Sequence, residues 1–260
     1  MVIYMKIMMK NMIKFLLVLF PFVAVGGFFT GRYVFASYSA DLQQMVLEQM
    51  GSVNVFAVVS MVQAVMYAVV CGILGFIMAE KTGLLKPFAW KKDMLIKSVA
   101  AAAVCGVVFS LDYWIFGTLI PQVAVSYESG LLYRSVDNWI CSVLYGGIVE
   151  ELMLRFFLMT LIVLIIWKLC CRGCEKEQLP LKVFVIANII SAVLFAAGHL
   201  PTTYVTFGEL TAMILFRCFF LNGLFGVVFG ELYRRYGIQY AIVGHMGTHI
   251  ISKLIWLMFL

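Results

Sequence analysis

The sequence predicts an all-α, polytopic transmembrane helical bundle of seven or eight spans, and three observations carry that expectation. Of the 260 residues, 64% are hydrophobic and only 12% are charged, whereas a soluble domain carries about a quarter charged residues. Apolar runs recur at 14–36, 53–79, 95–120, 139–168, 181–200, 206–230 and 237–258. Each is at or near the roughly 20 residues a helix needs to cross a bilayer. The basic residues, finally, favour alternate loops. A membrane β-barrel is excluded, because the runs lack short segments of alternating hydrophobicity.

The opening MVIYMKIMMKNMIK runs into the first apolar segment with no small-residue cleavage site behind a short core. It therefore reads as a retained span and not as a cleaved signal. Pro21 and the internal glycines are tolerated in membrane helices. Between the second and third runs lies GLLKPFAWKKDMLIK, a basic loop suited to anionic lipid and to orienting the chain, not to nucleic acid. The fourth run is long enough to be tilted or broken, and 121–138 has room for an eighth, short helix. Phenylalanine-rich stretches such as RFFLM and RCFFLNGLF read as lipid-facing or packing surface. Arg32 and Lys253, near helix ends, are expected to snorkel. A chain of this length with several spans reads as one polytopic domain over 1–260.

Charge sets the orientation. Lys6, Lys10 and Lys14 precede the first run; Lys81, Lys86, Lys91, Lys92 and Lys97 separate the second and third; Lys168, Arg172, Lys176 and Lys182 follow the fourth; Arg234 and Arg235 follow the sixth. The opposite loops hold Asp41, Glu48, Glu128, Asp137 and Glu209, with Arg134. Basic loops stay inside, so the N-terminus is expected in the cytoplasm of a cell-membrane protein. With seven spans, the C-terminus lies outside. The seven cysteines, at 71, 105, 141, 170, 171, 174 and 218, mostly sit in apolar runs as small hydrophobes, and no disulfide framework is expected. In CCRGC at 170–174, plain or acylated juxtamembrane cysteines are favoured over a metal site.

The chemistry concentrates in GGIVEELMLR, residues 146–155. Carboxylates inside a span are costly and face a partner or a cavity. Arg155 stands four residues after Glu151, on the same helix face, which suits an ion pair and leaves Glu150 free to act on something else. Gly146 and Gly147 permit close helix approach. All three histidines lie in or beside late runs: His199 in LFAAGHL, and His245 and His249 on one helix face in IVGHMGTHI. A buried carboxylate can deprotonate water. Imidazoles can orient that water or stabilise an oxyanion. His and Glu are also zinc ligands, so a metal stays open, although HExxH is absent. No GxSxG occurs, and Ser142 and Ser191 read as small helix residues. A structural ion pair is the plainer reading of EExxxR alone. Asp112 and Arg217 would suit a proton-coupled transporter, but no two-fold repeat accompanies them.

Taken together, three islands resemble the CAAX-protease and bacteriocin-processing family, the Rce1-like membrane endopeptidases. EExxxR is Glu150-Glu151-Leu-Met-Leu-Arg155, FxxxH is Phe195-Ala-Ala-Gly-His199, and the third is His245-Met-Gly-Thr-His249. Their order and spacing agree over about 139–258. The resemblance implies an intramembrane glutamate protease with an Rce1-like core and no cofactor. By it, Glu150 is the general base, His199 helps to activate water, His245 and His249 form the oxyanion hole, and Glu151 and Arg155 organise the site. His249 departs from the asparagine of many relatives, which makes its protonation a variable. The implied partners are membrane lipids and a substrate that is a peptide precursor or a lipid-anchored, CaaX-like protein tail. The alternative is a non-catalytic immunity or scaffold protein of the same fold.

Overall fold

The computed structural model describes residues 2–260; the side chains of residues 1–6 and 8, Lys6 among them, lie outside the described residues. Every regular element described is helical. Seven helices are long and apolar enough to cross a membrane, so the chain is a multi-pass membrane protein. Its lipid side shows in the exposure of large apolar groups such as Leu17 and Val62.

The chain begins with α1 (Val2–Ser37), then the short α2 (Ala40–Met50) and the long α3 (Val53–Thr82). Ser39 and Ser52 start α2 and α3 by accepting from Leu42 N and Val55 N, as N-caps do. Gly51 and Gly83 end them at φ 75°, a conformation that glycine adopts without strain. The third span is α4 (Lys92–Ser110) continued by α5 (Asp112–Leu119), and α6 (Pro121–Glu128) follows. α6 occupies the place foreseen for an eighth helix, but its eight residues are too few to cross. Seven spans therefore stand.

The fourth span, α7, runs Val136–Cys170 without a break. It is not α-helical throughout. Cys141–Glu150 and Leu152–Met159 are wound as π-helix, with bonds from residue i to i+5, a form that is rare and frequent at functional sites. The fifth run divides into α8 (Leu181–Gly198) and α9 (Leu200–Phe207), with His199 at the junction. Pro201 has no amide hydrogen to continue the ladder of α8. The sixth span, α10 (Ala212–Tyr236), is displaced from the apolar run at 206–230. Gly208, at φ 76°, ends α9, and Thr211 caps α10 through Ile214 N. At the other end Glu231 pairs with Arg234 at 2.7 Å and also with Arg235, so the helix continues past the point where hydropathy falls. Last comes α11 (Ile238–Phe259).

α7 is the hub, touched by α1, α3, α8, α10 and α11. Its inner face supplies Ile148, Val149, Leu152, Phe156, Met159 and Val163 to the core. In RCFFLNGLF, Phe225 is buried while Phe219 and Phe220 are exposed, so that stretch serves both a packing face and a lipid face, whereas in RFFLM Phe156 is buried.

Four of the charged residues singled out above take partners within the protein. Lys253 does not snorkel: it is 3% exposed and donates to Leu132 O and Asn138 Oδ1, both at 2.7 Å. It faces inward, where a carbonyl of the preceding loop and a side chain of the first turn of α7 solvate the ammonium. Arg32 pairs with Asp137 at 3.1 Å across α1 and α7. Asp112 and Arg217, the candidate transporter pair, engage each other at 2.7 and 2.5 Å, and Tyr127 donates to Asp112 Oδ2 at 2.7 Å. Burial first, and the Asp112 charge second, hold the Tyr127 phenol well above its usual pKa, so it remains a donor. The arrangement ties α5 and α6 to α10.

Breaking a buried pair leaves one charge uncompensated, at a cost of about 3–5 kcal/mol, whereas replacing both members by apolar groups can be neutral. Arg217→Met alone should therefore lower the thermal unfolding midpoint of the purified protein strongly. Arg217→Met with Asp112→Leu should recover most of the loss; failure to recover would mean that the pair is not mainly a structural tie.

Candidate active site

α7 carries Glu150, Glu151 and Arg155; α11 carries His245 and His249; α8 ends beside His199. The two glutamates differ sharply. The Glu151 side chain is fully buried, and Glu150 keeps 21% exposure. Glu151 Oε1 lies 3.3 Å from Arg155 Nη1 and accepts from His245 Nδ1 at 2.8 Å. The contact with Arg155 is ionic and not an aligned hydrogen bond, since Nη1, Nη2 and Glu151 Oε2 make no hydrogen bond within the described protein. The guanidinium lies instead over the Phe195 and Phe229 rings, 4.6 and 5.7 Å from their centroids. Weak hydration suits a guanidinium to such an aromatic bed.

The tautomers follow from the partners. A carboxylate only accepts, so His245 donates Nδ1–H to Glu151, and in the neutral ring Nε2 then holds a lone pair. His249 Nε2 is 3.2 Å from that atom and is the donor between them. The result is a chain from His249 through His245 to Glu151. Glu150 Oε2 stands 3.9 Å from the same His245 Nε2, beyond a hydrogen bond but within one small movement of it. The imidazole of His245 is fixed by stacking on Phe229 at 4.6 Å and on His249 at 5.0 Å.

His199 stands apart. Its Nδ1 donates to Phe195 O at 2.9 Å, leaving Nε2 free to accept in the neutral ring. Its ring meets Phe195 edge-on at 4.6 Å, and Phe195 in turn lies 6.2 Å from His245. Among the described residues no hydrogen bond or ion pair joins His199 to Glu150. The structure thus gathers Glu150, Glu151, Arg155, His245 and His249, and links His199 to them through one aromatic ring. No three His, Cys, Asp or Glu side chains among the described residues are grouped to hold a metal ion.

Two contributors are absent from the sequence-based reading. Phe229 supports both Arg155 and His245, and nothing in its local sequence separates it from other membrane phenylalanines. The second is Gly226-Val-Val-Phe-Gly230, a small-xxx-small pattern that does have a sequence signal. A Cβ on Gly226 would lie 3.0 Å from Ala192 Cβ and 3.2 Å from Arg155 Nη2, and one on Gly230 would overlap Asn188. These glycines draw α10 onto α8 and leave room for the guanidinium. Gly146 does the same for the imidazoles, since a Cβ there would lie 3.2 Å from His249 Nε2.

Residues 134–251 match the profile of the type II CAAX prenyl endopeptidase Rce1-like family. The matched stretch includes all of Glu150, Glu151, Arg155, His199, His245 and His249. No curated protein and no solved structure matches the chain.

The unequal burial of the glutamates predicts unequal stability effects. Glu151→Gln strips the charge beside a buried guanidinium and should cost about 3–5 kcal/mol. Glu150→Gln, at the open edge, should change stability by much less. Similar losses of thermal stability in the two purified variants would contradict the assignment of Glu151 as the structural member.

Proposed function

We propose, from the membership of residues 134–251 in the Rce1-like family, that the chain is an intramembrane endopeptidase that hydrolyses peptide bonds with carboxylate- and imidazole-activated water. The observation that carries this reading is the contrast at Glu150-Glu151. One carboxylate is sealed between Arg155 and His245, and its neighbour keeps an open edge 3.9 Å from the same imidazole.

In this reading Glu150 is the general base. A positioned carboxylate can take a proton from water, and the open edge of Glu150 lets water reach it. His199, with Nδ1–H held by Phe195 O, presents Nε2 as a second acceptor for that water. His245 has the opposite polarity: with Nδ1–H given to Glu151, its Nε2 can receive the proton that Glu150 has taken. The imidazolium so formed is stabilised by the Glu151 carboxylate. It can then donate Nε2–H to the oxyanion or to the departing amine. His249 Nε2–H, released from His245 at that moment, is the second donor to the oxyanion. An imidazole at 249 thus performs the donation that an amide would.

The substrate we infer is a membrane-associated peptide, either a CaaX-like lipid-anchored tail or a peptide precursor. The spans enclose the site, and the intervening segments are short, so the scissile segment has to be thin and extended. We place the N-terminus in the cytoplasm on the distribution of lysine and arginine.

The test is cleavage of a quenched peptide library, prenylated and unprenylated, by the purified full-length protein. Removing a general base lowers the rate by about 10²–10⁴-fold, so Glu150→Ala and His199→Ala should be nearly inactive while remaining folded, and a strong chelator should leave the wild type unchanged. Loss on chelation with recovery by zinc would overturn the metal-independent mechanism. A folded wild type that cleaves no peptide of either class would favour a non-catalytic immunity or scaffold role. His249→Asn, which keeps an N–H donor, should retain most activity. His249→Leu should lose about 10²–10³-fold in kcat; equal activity of the two would remove His249 from the oxyanion site.

A further inference from the structure

The CCRGC segment at 170–174 lies outside the site, and none of its thiols enters the chemistry above. α7 ends at Cys170, and Cys171 follows with φ −132° and ψ 37°. Cys174 N then donates to Cys171 O at 3.0 Å, closing a four-residue turn over Arg172 and Gly173. A turn of this kind holds its first and fourth Cα atoms within about 7 Å. A disulfide bridges Cα atoms about 4.4–6.8 Å apart, so the turn brings the two cysteines into its range. Both side chains are half-buried and pack against the same apolar core. Cys170, one residue earlier, is exposed. The turn is fastened at two points: Trp167 Nε1 donates to Cys174 O at 2.9 Å, and Arg172 Nε donates to Lys168 O at 2.8 Å. All three cysteines are free thiols in this structure. The cysteines at 71, 105, 141 and 218 are dispersed along other elements and have no cysteine neighbour within a turn of chain.

We propose that Cys171 and Cys174 form a reversible dithiol–disulfide site, oxidised by exchange with an anionic low-molecular-weight disulfide. A thiolate of the pair attacks one sulfur of the external disulfide; a mixed S–S bond forms, the external bond breaks, and one external thiolate departs. The second cysteine thiolate attacks the cysteine sulfur of the mixed disulfide, forms the Cys171–Cys174 bond and releases the other external thiolate. Two cysteine thiols are oxidised, one external disulfide is reduced, and the two thiol protons pass to the departing thiolates. Charge around the turn suits this reactant. Lys176 is 3.8 Å from Glu177 and Glu175 adjoins Cys174, while Lys168 lies over the Trp167 ring and Arg172 is held by a carbonyl; residues 168–177 thus carry three cations against two carboxylates, a net positive charge that attracts an anion.

The experiment uses the full-length protein in detergent micelles across a series of reduced-to-oxidised glutathione ratios. Samples are quenched in acid, alkylated and mapped by peptide mass spectrometry. Oxidising ratios should convert the peptide joining Cys171 and Cys174 to a form lighter by two hydrogens, with Cys170 still open to alkylation or glutathione. Excess reduced glutathione should restore both thiols. Cys170→Ala should keep the bridge. Cys174→Ala should lose it and leave a glutathione adduct on Cys171. The proposal is overturned if Cys171 and Cys174 stay alkylatable throughout, if each carries its own glutathione, or if the bridge uses Cys170. Because the readout is the bond itself, absence of peptidase activity leaves this result untouched.

Discussion

A carboxylate and a guanidinium cannot sit unpaired inside a bilayer, and the bundle is organised around the place where one such pair is accommodated. Glu151 and Arg155 are both essentially sealed from solvent. Neither is saturated by hydrogen bonds, so their compensation comes from outside α7: His245 of α11 donates to Glu151, and Phe195 of α8 and Phe229 of α10 bed the guanidinium. Three other helices are thereby tied to one turn of α7. Buried charge of this kind contributes little net stability; what it secures here is a unique relative placement of those helices.

That placement has two consequences for the chemistry. Once Glu151 holds Nδ1–H of His245, the polarity of the imidazole is set, and Nε2 faces Glu150 and His249 as an acceptor. Glu150, one residue along a π-wound helix, is turned out of the sealed pocket and keeps an open edge. Adjacent residues of identical chemistry thus receive opposite environments, an arrangement that allows two carboxylates to take different roles. The glycines at 146 and 226 serve the same end by leaving room for the imidazoles and the guanidinium, where a methyl group would crowd them, and Gly230 lets α10 approach Asn188 of α8.

Elsewhere, charged groups act as ties between helices. Asp112 with Arg217, and Lys253 with Leu132 O and Asn138, join elements that are more than 100 residues apart in sequence. The outward face is left to aliphatic side chains, which need no partner in lipid. The basic end of α7 is different in character, because there the polypeptide leaves the helix through a turn rich in sulfur.

The sequence by itself determined the membrane class, a count of seven or eight spans, and which polar groups lie within them. These are one-dimensional properties: a span is a run of apolar residues about as long as a bilayer is thick, and Glu150-Glu151, Arg155, His199, His245 and His249 are the polar groups that such runs carry at unusual cost. Tertiary structure alone decided how those groups face one another. The π-winding of α7 depends on packing against five neighbours, and no propensity of CSVLYGGIVE announces it. His199 stands at the junction of α8 and α9, where Pro201 has no amide hydrogen to continue the ladder, and meets His245 only across the Phe195 ring. Lys253 is buried, although it sits where a lysine could snorkel, because Leu132 O and Asn138 Oδ1, more than 110 residues upstream, offer it two oxygens. Asp112 and Arg217 form a tie and not a relay for the same reason. A charge in lipid takes the partner nearest in space, and distance in space is the quantity that a linear pattern does not contain.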